Sequence, residues 1–214
     1  MLYSDSERAV MAGALQANMR LSIGVEPFEA IASDFKLRMG EGLRILDLGP
    51  GQCDLLDIAR RSGADTLGID NDPAVCALGR LRGHEMRQGD LRRGVLPEDG
   101  TFDGIFCRGS INLFWLQNSP TAARAVLDSL ISALRPGGWL WITPWNKPVR
   151  DEGADVIWSL IDEWRDANGV QSLLPADSQR RKYSLYYDIP RTEVWTRELA
   201  PPAPVGGFLS ALGR

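Results

Sequence analysis

Ten residues, Arg44-Ile45-Leu46-Asp47-Leu48-Gly49-Pro50-Gly51-Gln52-Cys53, place a carboxylate at the end of an apolar run and two glycines, Gly49-x-Gly51, directly after it. Ile45, Leu46 and Leu48 read as a buried parallel strand, and glycines in that place let the backbone turn sharply and approach a ligand closely. Such a turn is a nucleotide-type cradle. A dinucleotide fingerprint G-x-G-x-x-G needs a third glycine at position 54, where this chain has Asp54, which would aim a negative charge at a pyrophosphate. No Gly-Lys-Ser/Thr ending is present to make a phosphate-binding loop. The chemistry left is recognition of a ligand without phosphates.

Further carboxylates recur at the ends of apolar runs. Thr66 to Ile69 runs into Asp70-Asn71, about 20 residues past the glycines, where an acidic side chain takes ribose hydroxyls. Gln88-Gly89-Asp90-Leu91, Phe102-Asp103-Gly104-Ile105-Phe106-Cys107 and Leu134-Arg135-Pro136-Gly137-Gly138 follow in order. Taken alone, Asp47 could cap a helix and Asp70 could be a solvated turn residue; the order and spacing of the five landmarks argue otherwise. The Arg135 to Gly138 turn reads as structural, a helix stop and a tight return to a sheet.

These landmarks resemble the class I S-adenosyl-L-methionine-dependent methyltransferases, whose first motif is an acidic residue and G-x-G-x-G at the end of the first strand. The resemblance spans roughly residues 44 to 143 and departs from the family at the third glycine, where Cys53 stands. It implies S-adenosyl-L-methionine as cofactor. Asp47 would lie towards its methionine end, Gly49 and Gly51 against it, Asp70 and Asn71 at the ribose, and Asp90 and Leu91 at the adenine. Cys107 and Arg108, ending the fourth strand, would meet both cofactor and acceptor. Asn112, Trp115 and Trp145 are the candidates for the acceptor side, and no general base can be named. Methyltransferases of the catechol type hold a divalent metal with acidic residues after the fourth strand; no Asp or Glu occurs between Gly104 and Arg124, so no metal is expected. Arg108 to Phe114 holds no proline, which argues against the tetrapeptide of enzymes that methylate base amines. A small-molecule acceptor, reacting through nitrogen or oxygen, is the leading expectation. A non-catalytic S-adenosyl-L-methionine-binding protein and a macromolecule methyltransferase are the alternatives.

The elements that must position these residues alternate. Ser4-x-x-Glu7 is a capping box ahead of Val10, Met11, Leu15 and Met19, and Pro27 opens a second helix carrying Phe28, Ile31, Ala32 and Phe35 on one face. Residues 1–42 form a helical N-terminal segment that either caps the cofactor or packs on the side of the sheet. From Arg44, strands alternate with helices over Leu55 to Arg61, Pro73 to Leu81 and Ser119 to Leu134, which predicts an α/β fold with a doubly wound, mostly parallel sheet. A helix with Val156, Ile157, Leu160, Ile161 and Trp164 on one face follows. Tyr183 to Ile189 and Thr192 to Leu199 then read as a terminal antiparallel hairpin. We expect one domain over 1–214, with its core in 43–199 and a Pro- and Gly-rich tail in 200–214.

Ligands of such sheets lie beyond the carboxyl ends of the strands. His84, the only histidine, precedes the third strand and is expected at the opposite edge, as an ordinary surface or edge residue and not as a base. Cys53, Cys76 and Cys107 form no C-x-x-C pair and read as small core residues. Of the seven tryptophans, Trp139 and Trp141 fit the sheet and Trp158 and Trp164 a helix face. The formal charge is −4 with both signs mixed along 214 residues, which gives no general affinity for nucleic-acid backbones; Arg180-Arg181-Lys182 reads as a solvated stretch. No apolar run approaches a membrane span, and Met1 to Arg20 lacks the apolar stretch of a signal peptide. A cytoplasmic protein is expected.

Overall fold

The computed structural model describes residues 4–18, 25–91, 100–108, 120–143, 162–168, 170–173 and 193–196. Their elements are α1 (Asp5–Asn18), α2 (Val25–Asp34), β1 (Arg44–Leu48), α3 (Asp54–Arg61), β2 (Asp65–Asp70), α4 (Pro73–Leu81), β3 (Glu85–Gln88), β4 (Phe102–Arg108), α5 (Pro120–Ala133), β5 (Leu134–Thr143), β6 (Gln171–Leu173) and β7 (Glu193–Thr196). Residues 162–167 are also helical.

The strands form one sheet in the order β3-β2-β1-β4-β5-β7-β6. β1 to β5 are parallel. β1 pairs on one side with β2 and on the other with β4, so the chain reverses its direction of winding between β1 and β4. In sheets of this kind that reversal opens a crevice at the carboxyl ends of the strands. β7 runs antiparallel to both β5 and β6. Of the expected terminal hairpin, Tyr183 to Ile189 lies outside the described residues, while Glu193–Thr196 of the second arm is β7; its outer neighbour is Gln171–Leu173.

Alternation along the strands sends successive side chains to opposite faces, and each face has its own core. On one, Leu46, Leu48, Ile105, Cys107, Leu140 and Ile142 pack with Val126, Leu127 and Leu130 of α5. On the other, Ile45, Phe106 and Trp141 pack with Phe28 and Ile31 of α2 and Leu55 and Ile58 of α3. A third cluster, Cys53, Leu56, Val75, Cys76 and Met86, fills the space under α3 and α4. All three cysteines are buried, as expected of small core residues.

Ser4 and Glu7 make the reciprocal capping box: Ser4 N–H donates to Glu7 Oε2 at 2.6 Å and Glu7 N–H to Ser4 Oγ at 3.3 Å. α1 packs on α4, and α2 on α3. Phe28 of α2 meets Phe106 edge-on at 5.5 Å and Trp141 at 5.9 Å between ring centroids. Of the two expectations for the N-terminal segment, α2 therefore takes the one in which it packs on a face of the sheet. α2 begins at Val25, ahead of Pro27. The Arg135 to Gly138 turn lies inside β5: pairing with β4 steps from Phe102↔Leu134 to Gly104↔Trp139, and Gly137 takes φ 78° to absorb the extra residues. The strand thus opens at the end of α5 instead of waiting for Trp139.

Candidate functional site

β1 ends at Leu48, beside Ile69 of β2, and the Gly49 amide still donates to the Ile69 carbonyl at 2.8 Å. The chain then turns through three left-handed residues, Gly49 (φ 74°), Gly51 (φ 53°) and Cys53 (φ 64°). Two are glycines, which adopt this conformation without cost; the third is a cysteine, which does not. Cys53 also stands as the N-cap of α3, with φ 64° and ψ 23° and no side-chain capping bond. Its thiol points inward, against Leu56, Val75, Cys76 and Met86. Burial first, and the nearby Asp47 charge second, push that thiol far above the usual cysteine range, so it stays protonated.

β2 extends one residue past the β1 pairing and ends at Asp70. The Asp70 carboxylate faces the turn just described. Its Oδ1 accepts from the Asp72 amide at 2.8 Å, and the Asn71 and Gly51 amides lie near enough to favour its charged form. Burial nevertheless holds the Asp70 carboxyl above the ordinary carboxylate range, with the Asp72 charge adding to the rise and the three amides opposing it. Asp72 itself serves the next helix, since as N-cap of α4 it accepts from the Ala74 amide at 2.8 Å, with Pro73 following at the first helical position. The next step of the edge repeats the pattern, because the Gly89 amide donates to the Asp70 carbonyl at 2.9 Å and so draws the end of β3 against that of β2. Asp90 and Leu91 follow at once.

The expected cofactor residues are thus distributed along one edge. Asp47, 2% exposed, is the buried carboxylate one residue inside the end of β1. Gly49 is exposed and Gly51 half-buried, so the turn is open where a ligand would lie. Asn71 is exposed, and its carbonyl accepts from Gln88 Nε2 at 3.4 Å. Asp90 is half-buried, and Leu91 packs on the edge of the α5-side core. Cys107 pairs with Leu48 and Ile142, and its thiol belongs to the core of the α5 face. Arg108, paired with Thr143, ends β4 beside the same crevice. The acceptor-side candidates Asn112, Trp115 and Trp145 lie outside the described residues. Among the described residues no group of His, Cys, Asp and Glu could hold a metal ion.

His84 is the residue the sequence misread. It does lie at the far edge, just before β3, yet its side chain is enclosed completely. Nε2 lies 2.8 Å from Asp57 Oδ1 and Nδ1 3.0 Å from Thr66 Oγ1. The partners sit 27 and 18 residues away, so no local spacing announced them. Asp72 was also missed, although Asp-Pro before a helical run is an N-cap signal.

The donor set decides what this edge can hold. Carboxylates at the ends of β1 and β2 accept hydrogen bonds from hydroxyls and amines, and the turn's amides and glycines let a ligand sit against the backbone. Asp54, in the first turn of α3, puts a negative charge where a dinucleotide would bring phosphates. The residues fit a nucleoside carrying a cationic tail and do not fit a pyrophosphate.

A profile of the methyltransferase domain family matches residues 25–182. A ubiquinone biosynthesis O-methyltransferase of Xylella fastidiosa is 32% identical over 114 residues, which make up 50% of this chain and 44% of that protein; the chain thus spans under half the length of the relative it matches. Among solved structures, a complex of the Haloferax volcanii Trm112 methyltransferase activator with a putative methyltransferase superposes with a TM-score of 0.59 at 14% identity, over 92% of this chain and 100% of the other. An S-adenosylmethionine-dependent methyltransferase of Mesorhizobium loti gives 0.58 at 18% identity, over 81% and 100%. At such identities the two structures speak for the fold alone.

Proposed function

The chain belongs to the methyltransferase domain family, of the class I S-adenosylmethionine-dependent kind, and from that premise we propose that it transfers a methyl group to a small-molecule acceptor without a metal ion. The observation that carries this reading is the meeting of the left-handed Gly49–Cys53 turn with the end of β2 at Asp70, joined by the Gly49 amide on the Ile69 carbonyl.

Bound S-adenosyl-L-methionine supplies an electrophilic methyl group on a sulfonium. The chain's part is to hold and to orient. Asp70 accepts from the ribose hydroxyls, Asp90 takes the adenine amino group with Leu91 beside it, and Asp47 faces the cationic end. Gly49 and Gly51 leave room for close approach, Asn71 flanks the ribose, and Cys107 and Arg108 close the edge from β4. Alignment of this kind can contribute about 7–11 kcal/mol to a displacement, so the reaction does not require a dedicated base if the acceptor's own proton is acidic enough. His84 takes no part in that proton transfer, being enclosed at the other end of the sheet. Asn112, Trp115 and Trp145, together with the N-terminal segment around α1, are proposed to frame the acceptor. The likeness to ubiquinone biosynthesis O-methyltransferases favours oxygen over nitrogen as the acceptor atom. The whole of 1–214 is read as a single domain, and a cytoplasmic setting accords with the described helices, none of which is long and apolar enough to cross a membrane.

The test is titration calorimetry with S-adenosyl-L-methionine and, separately, with NAD, then methyl transfer from labelled cofactor to a panel of phenols, carboxylates and amines. Micromolar binding of the first ligand alone and labelling of a phenol are expected. NAD binding would overturn the cofactor reading; cofactor binding with no labelled product across the panel would favour a non-catalytic or macromolecule-directed protein.

A further inference from the structure

One side chain from outside the turn reaches into it. Arg82, which ends α4, donates from Nη1 to the carbonyl of Gln52, the residue between left-handed Gly51 and Cys53. The same Nη1 lies 3.3 Å from Asp57 Oδ2 on α3. The other oxygen of that carboxylate, Oδ1, is held at 2.8 Å by His84 Nε2, and His84 Nδ1 is held in turn by Thr66 Oγ1 at 3.0 Å. A carboxylate accepts, so Nε2 carries the proton and donates, and the neutral ring's Nδ1 accepts from the Thr66 hydroxyl. The chain of contacts runs from the start of β2 across the end of α4 to the cofactor edge, and its anchor is a fully enclosed ring held at both nitrogens. Arg60 completes the clamp by donating to the Arg82 carbonyl.

The turn has need of such a brace. With one cysteine among its three left-handed residues, its backbone sits in a conformation that an L-residue disfavours by about 1–2 kcal/mol. Besides the Cys53 amide bond to the Pro50 carbonyl at 2.7 Å, the Arg82 guanidinium is what fixes the Gln52 peptide from outside.

We propose that Arg82 is a positioning residue for the cofactor turn, locked by Asp57 and behind it by His84 and Thr66, so that the Gln52 carbonyl and the neighbouring amides keep the shape the cofactor meets. The assignment rests on the cofactor reading of that turn. It predicts that replacing Arg82 loosens the turn and weakens the cofactor without removing any group that touches it.

The experiment is calorimetry of the full chain with S-adenosylhomocysteine, alongside amide exchange at Cys53, for wild type, Arg82→Met, Arg82→Lys, Asp57→Asn and the Arg82→Met/Asp57→Asn double variant. Arg82→Met is expected to bind about fivefold more weakly and to exchange the Cys53 amide about fivefold faster, the net size of one ordinary hydrogen bond lost. Arg82→Lys, which keeps the charge and a donor, should recover most of both. Asp57→Asn should weaken binding by about twofold alone and add nothing to Arg82→Met, because the two act through one contact. A merely structural pair would lower the unfolding midpoint and leave affinity per folded molecule unchanged. Wild-type affinity and wild-type exchange in Arg82→Met would overturn the brace alone. A wild-type protein that bound no S-adenosylhomocysteine would overturn the cofactor reading and the brace with it. If Arg82→Met does not fold, Asp57→Asn decides: faster Cys53 exchange sustains the assignment, and unchanged exchange ends it.

Discussion

The two edges of the sheet are built from the same strands and treat charge in opposite ways. At the edge where the strands begin, polar groups are matched within the fold. Asp103 Oδ2 accepts from the Arg44 amide at 2.9 Å and from Arg135 Nη1 at 2.7 Å, Arg44 reaches Glu85 at 3.6 Å, and enclosed His84 has a partner on each ring nitrogen. At the edge where the strands end, carboxylates gather: Asp47 buried, Asp70 held above its ordinary range by burial, Asp90 just beyond the end of β3. Crowding acceptors of one sign into a partly dry edge opposes the stability of the unliganded fold. The first edge joins its charges into pairs across the sheet, and the second gathers carboxylates of one sign at the strand ends.

If that contrast is right, damage at the two edges should be read out by different measurements. The largest effect is expected at the matched edge. A Cβ added at Gly104 would run into the ring of Trp139, whose Nε1 donates to the Arg38 carbonyl at 3.0 Å. The indole is walled in and cannot swing aside, so Gly104→Ala should cost about 3 kcal/mol, or roughly 6–12 °C in the unfolding midpoint at this size. Cofactor affinity per folded molecule should be unchanged. A loss of affinity with intact stability would erase the distinction between the edges.

Next in size is Asp70→Asn. Burial raises the Asp70 pKa, so the fold prefers its neutral form; that contribution is complete below the unfolded carboxylate range and is lost as pH rises through the raised folded pKa. At neutral pH the charge therefore opposes folding, and the amide, which still accepts from the Asp72 amide, removes that opposition. The variant should melt higher than wild type without ligand and bind S-adenosylhomocysteine about tenfold or more weakly, as expected when hydrogen bonds to a charged group lose the charge. Differential scanning calorimetry with and without ligand reads both signs. A variant that is less stable and binds equally well would place Asp70 among the structural carboxylates.

What the sequence made legible follows the same division. The acid, the two glycines and the order of the strand ends are local signals, and each lies at the carboxyl ends of the strands because strand-turn-helix chemistry is written within ten residues. The placement of α3 and α4 was legible for the same reason: Pro73 and the apolar stripes mark them where they stand. The matched edge was not. Its bonds join residues 18 to 59 apart, such as His84 with Thr66 and Arg44 with Asp103, and no spacing rule links them until the sheet has brought them together. That is why His84 read as a surface residue and proved to be enclosed, and why Arg82 drew no notice. The terminal hairpin illustrates a further limit: strict alternation over Tyr183 to Ile189 signals a strand but does not say which neighbour it takes, and the described neighbours of β7 are β5 and Gln171–Leu173.

A smaller effect sharpens the matched edge. His84 is buried, which lowers its pKa, while Asp57 opposes the shift and the Arg60 and Arg82 charges add to it. The fold prefers the neutral ring, so its contribution is whole above pH about 6.5 and is lost as pH falls through the lowered folded value. Thermal unfolding of wild type and His84→Gln compared across that acid range should show wild type losing stability faster. Parallel pH profiles would mean that the ring carries its proton in the folded protein too, and that the Nδ1 contact with Thr66 is made by a donor.

The smallest expected effect lies at Cys53, where two terms nearly cancel. Cys53→Gly relieves a left-handed φ of 64°, worth about 1 kcal/mol. It also removes a fully buried side chain from the cluster of Leu56, Val75, Cys76 and Met86, and a lost buried group of that size costs about 1 kcal/mol. Stability should thus stay within about 0.5 kcal/mol of wild type, and cofactor affinity should not fall, since the thiol faces the core and not the crevice. Cys53→Val separates the terms: it keeps the burial and sharpens the conflict, because a branched Cβ crowds the left-handed backbone further, and it should be clearly less stable than either. If valine proved harmless, the left-handed turn would not be held at Cys53 at all, and the third left-handed residue would be a passenger of α3 instead of a part of the cofactor turn.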